Sequence, residues 1–194
     1  MTAEQGKAEK LEALREMLQN GPGEPILDPL LEEQKASIRR RALLLLDQRA
    51  RSRAELQRRL RDLDFDPELV DEVLADLERV NLIDDELFAR EWVRQRHQVR
   101  GKSRRHLDRE LQEKGVAPAL RTAALEQIEP EDEADTARTL AEKKARSIRQ
   151  APADRKEYDK YLRRIVGVLA RRGYSEGLSF HIAKTALDSR IAEL

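Results

Sequence analysis

The 194-residue sequence has no cysteine, which removes disulfides, thiolate metal sites and thiol nucleophiles together and fits a reducing compartment. Aromatic residues are scarce at 4%, and glycine and proline number only 8 and 7. Period-two alternation is hard to find, so the Leu-, Ala-, Arg- and Glu-rich composition reads as helix-forming. No apolar run approaches the roughly 20 residues that cross a bilayer, and no charged-then-apolar leader opens the chain, so a soluble, cytoplasmic protein is expected. Net charge is absent too, with 38 Lys and Arg against 38 Asp and Glu. Zero net charge does not argue against nucleic-acid binding here, because the two signs are segregated along the chain.

Catalytic machinery is equally scarce. There is no glycine-rich phosphate loop and no histidine pair at metal-ligand spacing, and His97, His106 and His181 are scattered. Asp84 and Asp85 stand at a helix start, where capping outweighs a catalytic or magnesium role. No enzyme activity, catalytic residue, cofactor or metal is expected.

What is present is charge, at 39% of residues, with an equal 39% hydrophobic, which implies a thin or segmented core. Residues 1–36 read as an acidic, partly flexible extension, broken by Asn20, Gly21, Pro22, Gly23 and Pro25. Organisation begins near Ser37. Ala42, Leu43, Leu45 and Leu46 centre a first helix; Ser52 to Glu55 reads as a capping box opening a second on Leu56, Leu60 and Leu63. Asp66-Pro67 opens a third, with the apolar stripe Leu69, Val70, Val73, Leu74 and Leu77.

The pattern then returns. At an offset of 51 residues, Ser52 falls on Ser103, Leu56 on Leu107, Leu60 on Leu111, Pro67 on Pro118 and Leu74 on Leu125. A fainter third copy places Gly115 on Gly173, Leu107 on Ile165 and Leu111 on Leu169. Gly115 and Gly173 stand just past a helix, where a left-handed residue is wanted, and Asp64 fills that place in the first copy at a conformational cost. Units of about 50 residues imply an all-α fold, an elongated curved array of three tandem three-helix repeats with helix-turn-helix-like units. The expected divisions are 37–81, 82–129 and 130–194. Glu126 to Asp135 reads as an acidic loop into a polar helix that ends at Ala151-Pro152.

The densest stretch runs from Leu82 to Gly115. Asp84 and Asp85 cap a helix bearing Leu87, Phe88 and Trp92, and basic residues from Arg90 to Arg109 follow with few acids. Basic clusters recur on the first and second helices of each unit, whereas the first unit's third helix carries Asp66, Glu68, Asp71, Glu72, Asp76 and Glu78. An acidic helix would be repelled from a major groove, which disfavours base reading by the third helices. A basic surface touching phosphates suits the pattern better, leaving the acidic helix to face a partner's basic surface.

Four landmarks in order, Arg51 to Leu56, Leu82 to Ala89, Gly101 through Glu110 to Val116, and Leu169 to Tyr174, resemble the RecX family of bacterial regulatory proteins over about residues 37–190. The resemblance implies a non-enzymatic modulator of the RecA recombinase. Such a protein lies in the groove of the RecA–DNA filament, spans neighbouring protomers, suppresses ATP hydrolysis and strand exchange, and binds DNA directly. Expected partners are the RecA filament and single- and double-stranded DNA without strong sequence preference, with no membrane and a monomeric state. The candidate DNA- or filament-facing residues are Arg94, Arg96, Arg100, Lys102, Arg104 and Arg105, with Arg163, Arg164, Arg171 and Arg172 as a second patch. A sequence-specific helix-turn-helix regulator is the alternative, and a helical scaffold without a nucleic-acid role is a third reading.

Overall fold

The computed structural model describes residues 29–194, and everything there that is regular is α-helix. The helices are α1 (Pro29–Gln48), α2 (Arg53–Arg61), α3 (Pro67–Arg79), α4 (Asp85–Arg100), α5 (Arg104–Glu113), α6 (Pro118–Leu125), α7 (Pro130–Ala145), α8 (Arg155–Ala170) and α9 (Glu176–Ala192). The described part of residues 1–37 is the opening of α1, which starts at Pro29 rather than near Ser37 and carries a Glu32–Lys35 ion pair. The breakers from Asn20 to Pro25 lie outside the described residues. Residues 38–194 form one compact unit.

Most of the helix starts follow from local chemistry. Ser52 and Ser103 hold nearly the same extended backbone, and each hydroxyl accepts the amide three residues on, from Glu55 and His106. Asp66, Asp84, Asp154 and Ser175 do the same for α3, α4, α8 and α9. Each such cap contributes about 1 kcal/mol. The Ser52–Glu55 capping box forms only in half. The Glu55 carboxylate is drawn away to Arg49 and Lys114, at 3.0 and 2.7 Å. At α7 the helix begins at Pro130, so Glu131, Asp132 and Glu133 form its first turn rather than a loop, where they favour the positive end of the dipole.

Burial is segmented. One cluster joins Ile38, Ala42 and Leu45 of α1 to Leu56, Leu60 and the apolar stripe of α3. A second holds Phe88, Ala89 and Val93 with Leu107, Leu111, Val116 and Leu125, and a third packs α7, α8 and α9 around Ile165, Leu169, Tyr174 and Leu187. The offset of 51 thus pairs residues with the same fate: Leu56 with Leu107 and Leu60 with Leu111 are all fully buried. Leu43, Leu63 and Leu87, expected on buried faces, are instead exposed. Leu43 and Leu87 sit at the edge of their stripes, and Leu63 lies beyond the end of α2.

The joints between consecutive three-helix sets repeat as well. At the first, the Arg53 amide donates to Asp85 Oδ1 at 2.8 Å and the Ser52 hydroxyl to the Lys114 carbonyl at 2.6 Å. At the second, the Arg104 amide donates to Glu133 Oε1 at 2.8 Å and the Ser103 amide to the Arg172 carbonyl at 3.0 Å. Each joint therefore uses a carboxylate from the next set's first helix to satisfy an orphan donor of the preceding second helix. Gly115 and Gly173, at φ +74° and +85°, press on the same helix starts; a Cβ would lie 2.4 Å from Ala54 Cβ and 2.6 Å from His106 Cβ respectively. Asp64 holds the equivalent left-handed conformation at φ 59° but is exposed, so a side chain fits there.

Candidate nucleic-acid interface

The ten candidate cations divide by what they touch. Arg96 lies over the Trp92 ring, 3.6 Å from its centroid, and 3.5 Å from Glu110. Lys102 pairs with the same Glu110 and lies 3.1 Å from His106 Nε2. Glu110 also accepts the Trp92 indole N–H at 2.9 Å, and its side chain is only 16% exposed. Burial would raise this carboxyl, but the hydrogen bonds from Lys102 and Trp92 and the Arg96 charge hold it below its ordinary value. Burial in turn lowers the Arg96 guanidinium. Arg96 and Lys102 thus belong to a half-buried charge network that also fixes the single tryptophan.

Three more are committed elsewhere. Arg104 donates to the Ile128 carbonyl at 3.1 Å, and Arg172 to the Arg100 and Val168 carbonyls at 3.0 and 3.1 Å. Arg94 is exposed but clasps Glu91 at 2.7 Å. The remaining five, Arg100, Arg105, Arg163, Arg164 and Arg171, are exposed. Among the described residues their side chains make no hydrogen bond or ion pair. Arg59 and Arg109, outside the candidate set, are exposed and unpaired in the same way; the i, i+4 spacing of Arg105 and Arg109 on α5 was the signal for the second. These uncommitted arginines lie on the second helices α2, α5 and α8 and at the ends of α4 and α8, and Arg40 and Arg41 of α1, Lys143 of α7 and Arg149 are exposed without a partner among the described residues as well.

The third helices present the opposite picture. On α3, Asp71 meets Arg53 and Arg61, Asp76 meets Arg39 and Arg79, and Glu78 meets Arg53. These carboxylates pair with the chain's own arginines while remaining half-exposed. Arg121 of α6 is tied to Asp108 at 2.8 Å, and Lys184 and Arg190 of α9 to Asp188 and Glu193. Every Lys or Arg of the described third helices is in an ion pair. His97 is buried with Nδ1 2.9 Å from the Lys102 carbonyl, a satisfied histidine. Among the described residues no group of three or more acidic or histidine side chains could hold a metal ion, and no helix is long and apolar enough to cross a membrane.

These features define an all-helical protein of tandem three-helix sets. Residues 39–77 match the model of the RecX first three-helix domain and residues 84–125 that of the second. A relative named Regulatory protein RecX from Corynebacterium efficiens is 59% identical, over 98% of this chain and 94% of its own. One of that name from Streptomyces coelicolor is 44% identical, over 86% and 83%. The crystal structure of RecX from Lactobacillus salivarius superposes with a TM-score of 0.66 at 25% identity, covering 81% of this chain and 99% of that one. The chain belongs to the RecX family, a family of regulatory proteins and not of enzymes.

Proposed function

We propose that the protein is a negative modulator of the RecA recombinase, acting in the cytoplasm as a monomer. It binds along the groove of the RecA–DNA filament and suppresses ATP hydrolysis, strand exchange and filament growth. Its three sets, residues 37–81, 82–129 and 130–194, follow successive positions of the filament. Exposed arginines, Arg100 and Arg105 in the second set and Arg163, Arg164 and Arg171 in the third, touch phosphates of single- or double-stranded DNA without reading bases. The observation that carries the phosphate-contact reading is the distribution of cations: Arg59, Arg105, Arg109, Arg163 and Arg164 of the second helices are exposed and pair with nothing among the described residues, whereas every Lys and Arg of the third helices is in an ion pair. A base-reading third helix needs free donors in the groove, and here its Lys and Arg side chains are occupied, which weighs against a sequence-specific helix-turn-helix regulator. The modulator acts through differential affinity for the active and inactive filament states.

The test is single-strand-dependent ATP hydrolysis by RecA with the protein titrated well below RecA, beside a direct DNA-binding measurement without RecA. Inhibition at substoichiometric amounts is the expected result. DNA binding with no effect on hydrolysis would overturn the filament reading, and a strong preference for one duplex sequence would restore the helix-turn-helix alternative.

A further inference from the structure

The third set contains a half-open groove of about 370 Å³ between α7 and α9 that no part of the proposed DNA surface uses. Its floor is Ala145 of α7 with Ile182 and Ala186 of α9. The cause is in the sequence. The buried residues of α7 are Ala137, Ala141 and Ala145, with Leu140 packed beside them, so at the groove the helix offers only the Ala145 methyl as apolar lining. With Ala145 on α7, α9 lines the groove with another small residue in Ala186, and the volume between them is filled by no side chain among the described residues. The size lies within the range of sites that enclose a ligand group.

The edges of the groove carry charge in a particular state. Arg138, Glu142 and Arg146 recur one turn apart along α7, and Arg190 and Glu193 stand on α9. Three guanidinium groups thus face two carboxylates. Arg146 reaches Glu142 only at 3.8 Å, with its side chain 75% exposed, and Arg138 pairs with Asp135, which is outside the lining. Such exposed pairs are weak and readily exchanged for an incoming carboxylate. Arg190 is held in place by the Ile148 carbonyl at 3.1 Å and by Glu193 at 2.9 Å, whose side chain is 63% exposed. An apolar floor between two helices, with arginines on both edges, matches the helix-in-groove mode of recognition.

We propose that the α7–α9 groove is a docking site for a helical segment of a protein partner that lays one large apolar side chain on Ala145, Ile182 and Ala186 and sets carboxylates against Arg146 and Arg190. Arg163, Arg164 and Arg171 do not line it, so the protein can hold nucleic acid and this segment through different residues. The surface is independent of whether RecA is the filament partner.

The experiment is fluorescence anisotropy of the full chain with a fluorescein-labelled, end-capped peptide in which Leu and Glu recur at helical spacing. Matched peptides carry Ala for Leu or Gln for Glu. Both replacements are expected to weaken binding at least ~10-fold, as are Arg146→Glu, which reverses one edge, and Ala186→Phe, which fills the floor. Arg146 is largely exposed, so its variant folds whether or not Ala186→Phe does, and circular dichroism checks each. Equal binding of the Gln peptide, unchanged binding to Arg146→Glu, or no binding of the Leu–Glu peptide would overturn the proposal.

Discussion

Replacing Gly115 by alanine tests the account of the joint between the first and second sets. Two costs act together. The residue holds φ +74°, a conformation that costs an L side chain about 1–2 kcal/mol. Its new Cβ would also lie 2.4 Å from Ala54 Cβ, which is fixed to a helix backbone and cannot swing away. Relieving such a contact costs about 1–3 kcal/mol. The sum is ~2–5 kcal/mol lost from the free energy of unfolding reported at this joint. Trp92 is the only tryptophan, and Lys114 Nζ lies 4.2 Å from its ring centroid, so urea titration followed by tryptophan emission reads the right place. The companion is Asp64→Gly, at the same position of the first set. Asp64 is left-handed but exposed, so this change is expected to stabilise by up to about 1 kcal/mol. A Gly115→Ala protein within about 0.5 kcal/mol of wild type would refute the close approach, since changes of that size are what unremarkable surface sites give.

Acid should loosen the same joint. Burial would raise the Glu55 carboxyl, yet hydrogen bonds and charge from Arg49 and Lys114 hold it at about 2. A depressed folded-state pKa contributes stability that is present above the ordinary value near 4.5 and lost as pH falls toward 2, so Glu55→Gln should flatten the wild-type loss across that window in Trp92-monitored unfolding. Glu110→Ala leaves Lys102, Arg96 and the Trp92 indole without their shared acceptor; a loss of about 2–4 kcal/mol and altered Trp92 emission are expected, and an unchanged urea midpoint would count against the network. At the second joint, Tyr174→Phe removes a buried 3.1 Å hydrogen bond to the Gly101 carbonyl and should cost about 1–2 kcal/mol by calorimetry. For DNA, Arg105→Ala with Arg163→Ala should lower the salt-dependence slope by roughly 0.9 per lost duplex phosphate contact, while Arg172→Ala should act on stability instead. The reverse order of effects would move the interface.

Much of the fold was legible because its signals are local. An N-cap hydroxyl and the amide it serves are three residues apart, and Ser52, Ser103, Asp66 and Asp84 were readable without any tertiary knowledge. The repeat was legible because each set buries corresponding leucines, and the left-handed turn was legible from Gly115, Gly173 and Asp64. The misread residues are those whose fate depends on a neighbour. Periodicity identifies a stripe but not how far the next helix covers it, so Leu43 and Leu87 were expected inside and lie outside.

The sequence by itself determined the helical class, the repeat, the turn geometry and the placing of cations on first and second helices, because all of these rest on backbone preference and spacing along the chain. Only the tertiary structure decided which arginines are available. Arg172 donates to a carbonyl 72 residues away and Lys114 pairs with an acid 59 residues away, while Arg105 and Arg163 meet no acceptor among the described residues. A guanidinium's availability depends on whether folding brings an acceptor to it, and a run of arginines carries no record of that.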